Sequence, residues 1–258
     1  MREFFGFGGY QRTPEGAYSW QHLLFVGISI VLMIALAIIL GLRNRHKDEN
    51  TKNKVLIISA IVIDSVELFK IVIFCIREHD AMHWLLCLPL FLCSIQLITI
   101  PLAAFSKGRV KEAALDFVFV FGILGAIAGT IGAAQNYNAY PVLSFTNVVS
   151  AFTHCVSGFC SIYIVVSGME SMKKENVWIL FTILGAFIVL AFIADYTIPY
   201  NYMFLVRDDG TPYVMITKLV NGNKLLYPIG VIFLFVLYIV VFYGIYYLIK
   251  KMHKKTNN

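Results

Sequence analysis

Two side chains in this sequence have the chemistry of a nucleophile and its base. Cys93 stands in LPLFLCSIQL and His154 in SAFTHCVSG, each inside a long apolar stretch. A cysteine in apolar surroundings stays an inert thiol unless a neighbouring base takes its proton. A neutral imidazole can be that base when another polar group orients it, and Glu67 is a candidate for the orienting role. Gln96, one helical turn beyond Cys93 on the same face, carries an amide that could donate to an oxyanion. Asp64, Glu67 and Lys70 fall within an arc of about 120° on one helix face, and Glu67 and Lys70 are spaced to pair. The catalytic candidates are therefore Cys93, His154 and Glu67. Gln96, Lys70, Asp64 and Asn147 are candidates for binding substrate. The plainer alternatives are a structural ion pair at Glu67–Lys70 and a histidine that only bridges helices.

The elements that position these residues follow from composition. The chain has 258 residues, 59% hydrophobic and only 14% charged, with a mean hydropathy of +0.76. A soluble domain is roughly 45–50% apolar and about 25% charged, so a soluble fold, a disordered chain and a disulfide scaffold are all excluded. Seven apolar segments are long enough to cross a bilayer, at His22–Leu42, Val55–Ile76, Met82–Phe105, Ala113–Ala134, Phe145–Gly168, Val177–Ile198 and Pro228–Ile249. Backbone groups in lipid must be paired within the segment, which makes these helices, and the alternating pattern of a barrel is absent. The expected fold is an all-α, polytopic bundle of seven transmembrane helices. It comprises an external arm at 1–21, a membrane domain at 22–249 with an external loop at 199–227, and a basic tail at 250–258.

Charge placement orients the bundle. Fourteen Lys and Arg fall in the loops after segments one, three and five and in the C-terminal tail, against six in the arm and the other loops. Positive charge gathers on the cytoplasmic side, which puts the N-terminus outside and the C-terminus in the cytoplasm. The net charge of +6 thereby reads as topology and attraction to anionic lipid, with no nucleic-acid partner. In this topology Cys93 lies about 16 Å and His154 about 14 Å below the outer ends of their segments, and Glu67 about 14 Å below its own. A thiol, an imidazole and a carboxylate are thus expected in one layer, although spacing does not say whether their helices face one another.

The remaining features are mostly architectural. Pro89 and Pro101 each remove a backbone donor from segment three. Gly122, Gly125, Gly129 and Gly132 share one face of segment four and form a close-packing surface. Asp116 and Asp195 lie about one turn inside their segments, where capping or snorkelling is expected. Aromatic residues such as Phe4, Phe5, Phe7 and Tyr10 suggest that the arm lies in the outer interface, and the arm lacks the pattern of a signal peptide. Turn signals at Asp208–Gly210 and Asn221–Asn223 suggest a hairpin-like cap in the long loop. The five cysteines show no zinc spacing and are expected as free thiols. Nucleotide-loop and zinc-protease motifs are absent, no interior lysine in segment seven could carry retinal, and no cofactor or metal is expected. No N-x-[ST] sequon occurs, which fits a bacterial origin.

HWLLCLPLFLCSIQL followed by PLAAFSKGR resembles the LPLHLCS region of the bacterial YwaF-type integral membrane family. SAFTHCVSG resembles that family's histidine segment, and NYMFL (Asn201–Leu205) its N-Y-x-x-L stretch before the last helix. Phe91 stands where the family usually has a histidine. The family is related to the transmembrane-protein-164 acyltransferases, so the resemblance implies an enzyme that moves acyl chains between phospholipids through an intramembrane cysteine. It carries over Cys93, His154, Asn201 and Tyr202, the last two as further substrate-binding candidates, and makes membrane phospholipids the partners, in the plasma membrane. Two other readings stand beside it. One is a proton- or ion-coupled transporter using Asp64, Glu67, Lys70 and His154. The other is a non-catalytic lipid-binding subunit.

Overall fold

A computed structural model describes residues 2–256, with side chains described through Met252. Residues 257 and 258 of the expected tail lie outside the described residues. Every regular element among those described is helical: α1 (Arg2–Phe5), α2 (Trp20–Asn44), α3 (Glu49–Arg77), α4 (Gln96–Phe105), α5 (Gly108–Thr130), α6 (Ala134–Ala139), α7 (Phe145–Ser167), α8 (Val177–Thr197), α9 (Val214–Leu219) and α10 (Leu226–Thr256), with 3-10 turns at His83–Cys87, Lys174–Asn176 and Tyr202–Phe204. Among the described residues five helices are long and apolar enough to cross a membrane, at Trp20–Asn44, Gly108–Ala139, Phe145–Ser167, Lys174–Thr197 and Leu226–Met252. The 29-residue α3 has the length as well, but Asp64, Glu67 and Lys70 interrupt its apolar run.

One expected crossing is not a single helix. The sequence pattern predicts a continuous helix over Met82–Phe105, whereas the chain there makes a 3-10 turn, runs irregularly from Leu88 to Ile95, and only then enters α4. Pro89 is the physical reason. It has no amide hydrogen for a helix ladder and forces the residue before it out of helical geometry. Leu88 accordingly takes φ −59° and ψ 145°. The ten-residue α4 is about 15 Å long, roughly half a bilayer core.

The chain divides into two compact units, Met1–Ile183 and Leu184–Asn258, with the boundary inside α8. In the first, α5 is the central helix: every residue from Ala113 to Gly122 is buried, as expected of a helix apolar all round its axis. The helix α7 packs along α5 and α2, while α4 lies against α3 and α5 and α3 also meets α7. Small residues permit these approaches. A Cβ placed on Gly158 of α7 would lie 2.5 Å from Met33 Sδ of α2 and 2.7 Å from Ala126 Cβ of α5. Asp116 caps, as its position suggested, accepting the Ser171 and Met172 N–H groups at 3.0 and 2.8 Å. The arm is packed on the helices: Phe5 and Phe7 pack on Ile73, Phe145 and Val149, and the Glu15 carboxylate accepts Val142 N–H at 2.8 Å.

The second unit holds the end of α8, the long loop, α9 and α10. The turn signals of the loop do mark turns, with Gly210 at φ 72° and Gly222 at φ 70°. The expected hairpin is absent, because the residues between the turns form α9, and those before the first turn a 3-10 turn, instead of strands. Asp195 caps this loop by accepting Tyr202 N–H at 2.6 Å. The helix α10 continues through Thr256, so the first residues of the basic tail are helical.

Candidate active site

The break in segment three leaves Cys93 just before the first turn of α4. The irregular stretch is held by its own turns: Ile95 N–H donates to Phe91 O at 3.0 Å, and Ser94 Oγ accepts Phe91 N–H at 3.0 Å while lying 3.1 Å from Phe91 O. Neither Cys93 nor Ser94 lies in a helix, so their N–H groups are not committed to a helix ladder, whose N–H groups are spent on carbonyls four residues back. The thiol is half-buried, and the His154 imidazole is the side chain that acts most strongly on it.

His154 lies in the unbroken helix α7. Its Nδ1 is 2.7 Å from the carbonyl oxygen of Ser150, one turn earlier. A carbonyl only accepts, so Nδ1 carries the proton and Nε2 presents a lone pair. The imidazole is therefore held as the tautomer that can receive the thiol proton. Both residues stand on the glycine face of α5. A Cβ on Gly125 would lie 3.4 Å from Cys93 Cβ, and one on Gly129 would fall within the His154 ring. The glycine face expected to pack helices also backs the thiol–imidazole pair.

The other candidates divide into those near the pair and those elsewhere. Gln96 has no solvent exposure. Its Oε1 accepts from Thr99 Oγ1 at 3.1 Å, and no described group accepts from its Nε2. A buried amide with an unused donor costs about 1–3 kcal/mol. Glu67 and Lys70 form an ion pair at 2.5 Å, with Asp64 half-buried one turn earlier. Lys70 is close enough to act electrostatically on His154. Glu67 does not occupy the orienting position on His154, which the Ser150 carbonyl takes. Asn147 binds the start of its own helix, its Nδ2 donating to the carbonyls of Tyr140 and Pro141 at 3.1 and 3.0 Å.

Asn201 and Tyr202 belong to the second compact unit and build its loop. Asn201 Nδ2 donates to Arg207 O and to Asp209 Oδ2, both at 2.7 Å, and its Oδ1 accepts Val206 N–H at 3.1 Å. Tyr202 is fully buried, and Met203 and Phe204 after it take φ 52° and 55°. The N-Y-x-x-L stretch thus forms a tight turn that folds this loop.

Sequence reasoning missed two features of the site. One is the Ser150 carbonyl, for which the only signal was its place four residues before His154. The other is the break that leaves Cys93 outside any helix, signalled by Pro89 alone. No curated protein and no solved structure matches the chain significantly. Residues 17–247 match the model of the TMEM164 family. That span takes in every helix that builds the Cys93–His154 pair, and with nearly the whole of its length matched the chain belongs to the TMEM164 family.

Proposed function

We propose that this TMEM164-family membrane protein moves acyl chains between phospholipids through a thioester on Cys93. The observation that carries the reading is that Cys93 and His154 meet neighbouring glycines of α5, with the imidazole tautomer set by Ser150 O at 2.7 Å. His154 Nε2 takes the thiol proton as Cys93 Sγ attacks the ester carbonyl of a donor phospholipid. The S–acyl bond forms and the ester C–O bond breaks, and His154 returns the proton to the departing lysolipid oxygen. An acceptor lysolipid hydroxyl then gives its proton to His154 and attacks the thioester, and the proton goes back to the leaving sulfur. The unused Gln96 amide is the group we assign to the carbonyl oxygen as it gains negative charge.

The topology that goes with this reading has seven crossings, with α3 and the broken Met82–Phe105 segment as the second and third. The N-terminus is outside, the C-terminus is cytoplasmic, and the membrane is a bacterial plasma membrane. The test is acyl exchange between defined phospholipids by the purified protein in bilayers. Cys93→Ala should abolish exchange and the acyl-enzyme, and His154→Ala should slow exchange about a hundredfold or more. Full exchange in both variants overturns the mechanism. Solute uptake that depends on pH and survives Cys93→Ala would support the relay through Asp64, Glu67, Lys70 and His154.

A further inference from the structure

The four glycines on one face of segment four, three of them in α5 and Gly132 just beyond its end, meet different neighbours. A Cβ on Gly122 would lie 2.6 Å from the carbonyl oxygen of Ser157 and 2.8 Å from Ser161 Cβ. That glycine lets α5 and α7 approach closely. On Gly132 the nearest atom would be Ala128 O of the preceding turn, at 2.7 Å, and on Gly125 the contact with Cys93 is of nearly ordinary length at 3.4 Å. Gly129 is unlike these. The three atoms nearest to its added Cβ are Cδ2, Nε2 and Cγ of His154.

We infer that Gly129 is a positioning residue: its missing side chain is the seat of the His154 ring, and it holds Nε2 toward the Cys93 thiol. This rests on the nucleophile–base reading above. The physical argument is about which atoms can yield. At Gly122 the obstacle is the backbone of α7, so an added methyl group must push α5 and α7 away from each other. At Gly129 the obstacle is the end of a side chain, which yields by turning about its own torsions at little cost to packing. The ring cannot turn and keep its function, because Nδ1 is tied to Ser150 O at 2.7 Å. Displacing the ring breaks that tie and takes Nε2 away from the sulfur. Every residue but glycine carries a Cβ, so only glycine serves at 129.

The experiment compares Gly129→Ala, Gly122→Ala, His154→Ala and the double variant Gly129→Ala/His154→Ala in the full-length purified protein. Two quantities are read: the rate of Cys93 alkylation by iodoacetamide at neutral pH, followed by mass spectrometry of the Cys93 peptide, and the thermal midpoint. Gly129→Ala should alkylate at the rate of His154→Ala, about tenfold below wild type, with a midpoint close to wild type. Gly122→Ala should melt lower and keep the wild-type rate. The double variant should match His154→Ala in both readouts, because the ring that the methyl group strikes is gone. Should Gly129→Ala fold poorly by itself, this double variant still decides, since removing the ring must restore the midpoint. The inference is overturned if Gly129→Ala alkylates at the wild-type rate, or if the double variant melts well below His154→Ala. If His154→Ala itself keeps the wild-type alkylation rate, it is the nucleophile–base pair that fails.

Discussion

Two segments each supply one side chain of the proposed nucleophile–base pair, and they do so with opposite backbones. The stretch from Leu88 to Ile95 is irregular and ends in a short helix, whereas α7 runs unbroken from Phe145 to Ser167. The difference matches what each side chain needs. A sulfur that is to carry negative charge needs donors, and free N–H groups exist only where a helix is interrupted or begins. An imidazole that is to accept a proton at Nε2 needs an acceptor for Nδ1. Any helical carbonyl can be that acceptor, because it has two lone pairs and the helix ladder uses one. Broken backbone therefore suits the thiol, and regular helix suits the base.

The comparison is broken most severely by removing the polar group that the interrupted segment adds to the site. Gln96→Leu keeps the volume of the side chain and deletes the buried, unused amide. Exchange should fall about a hundredfold, as when one oxyanion donor is lost. The Cys93 alkylation rate should stay at the wild-type level, since neither thiol nor imidazole is touched. Steady-state exchange and alkylation, measured side by side, check this. If Gln96→Leu exchanges acyl chains at the wild-type rate while Cys93→Ala does not, the amide has no role in the reaction.

A smaller effect is expected where the irregular stretch is held together. Ser94 Oγ accepts the Phe91 N–H at 3.0 Å, and Ser94→Ala removes that acceptor. The cost should be about 1 kcal/mol in stability, read as a lowered thermal midpoint. The exchange rate should fall by about tenfold, because the placement of the sulfur depends on the same turn. An unchanged midpoint and rate would mean that Pro89 alone shapes the stretch. The contrast between the two segments would then lie in one residue, with no contribution from a network.

The two segments also differ in how far the sequence disclosed them. The pattern predicted His22–Leu42 and Phe145–Gly168 within two residues of the ends of α2 and α7, because an uninterrupted apolar run has one stable form in lipid. The depth expected for Cys93 rests on the rise of a continuous helix, which the break in Met82–Phe105 does not provide. The interruption at Leu88–Ile95 was not readable, since a proline in a membrane helix can be absorbed as a kink when neighbours satisfy the freed groups. Ser150 was invisible for another reason. Its contribution is a main-chain carbonyl, which every residue has, and only the rotamer of His154 selects it. Glu67 looked like the orienting group because carboxylates are conspicuous at membrane depth, yet its partner is Lys70 at 2.5 Å. The glycine face of α5 could be read as a packing surface, but which glycine meets a side chain and which meets a backbone depends on helix rotation.

The least effect is expected in the intact helix, at the residue that orients the base. Ser150 approaches His154 Nδ1 twice, through its carbonyl oxygen at 2.7 Å and its hydroxyl at 3.5 Å. The longer contact is at the limit of a hydrogen bond and contributes little. Ser150→Ala deletes the hydroxyl and leaves the carbonyl where the helix holds it. Exchange and Cys93 alkylation should both stay within about twofold of wild type. A loss comparable with that of Ser94→Ala would mean that the hydroxyl is the true partner of Nδ1. The orientation of the base would then rest on side-chain chemistry, and the claim that regular backbone suffices for it would fail.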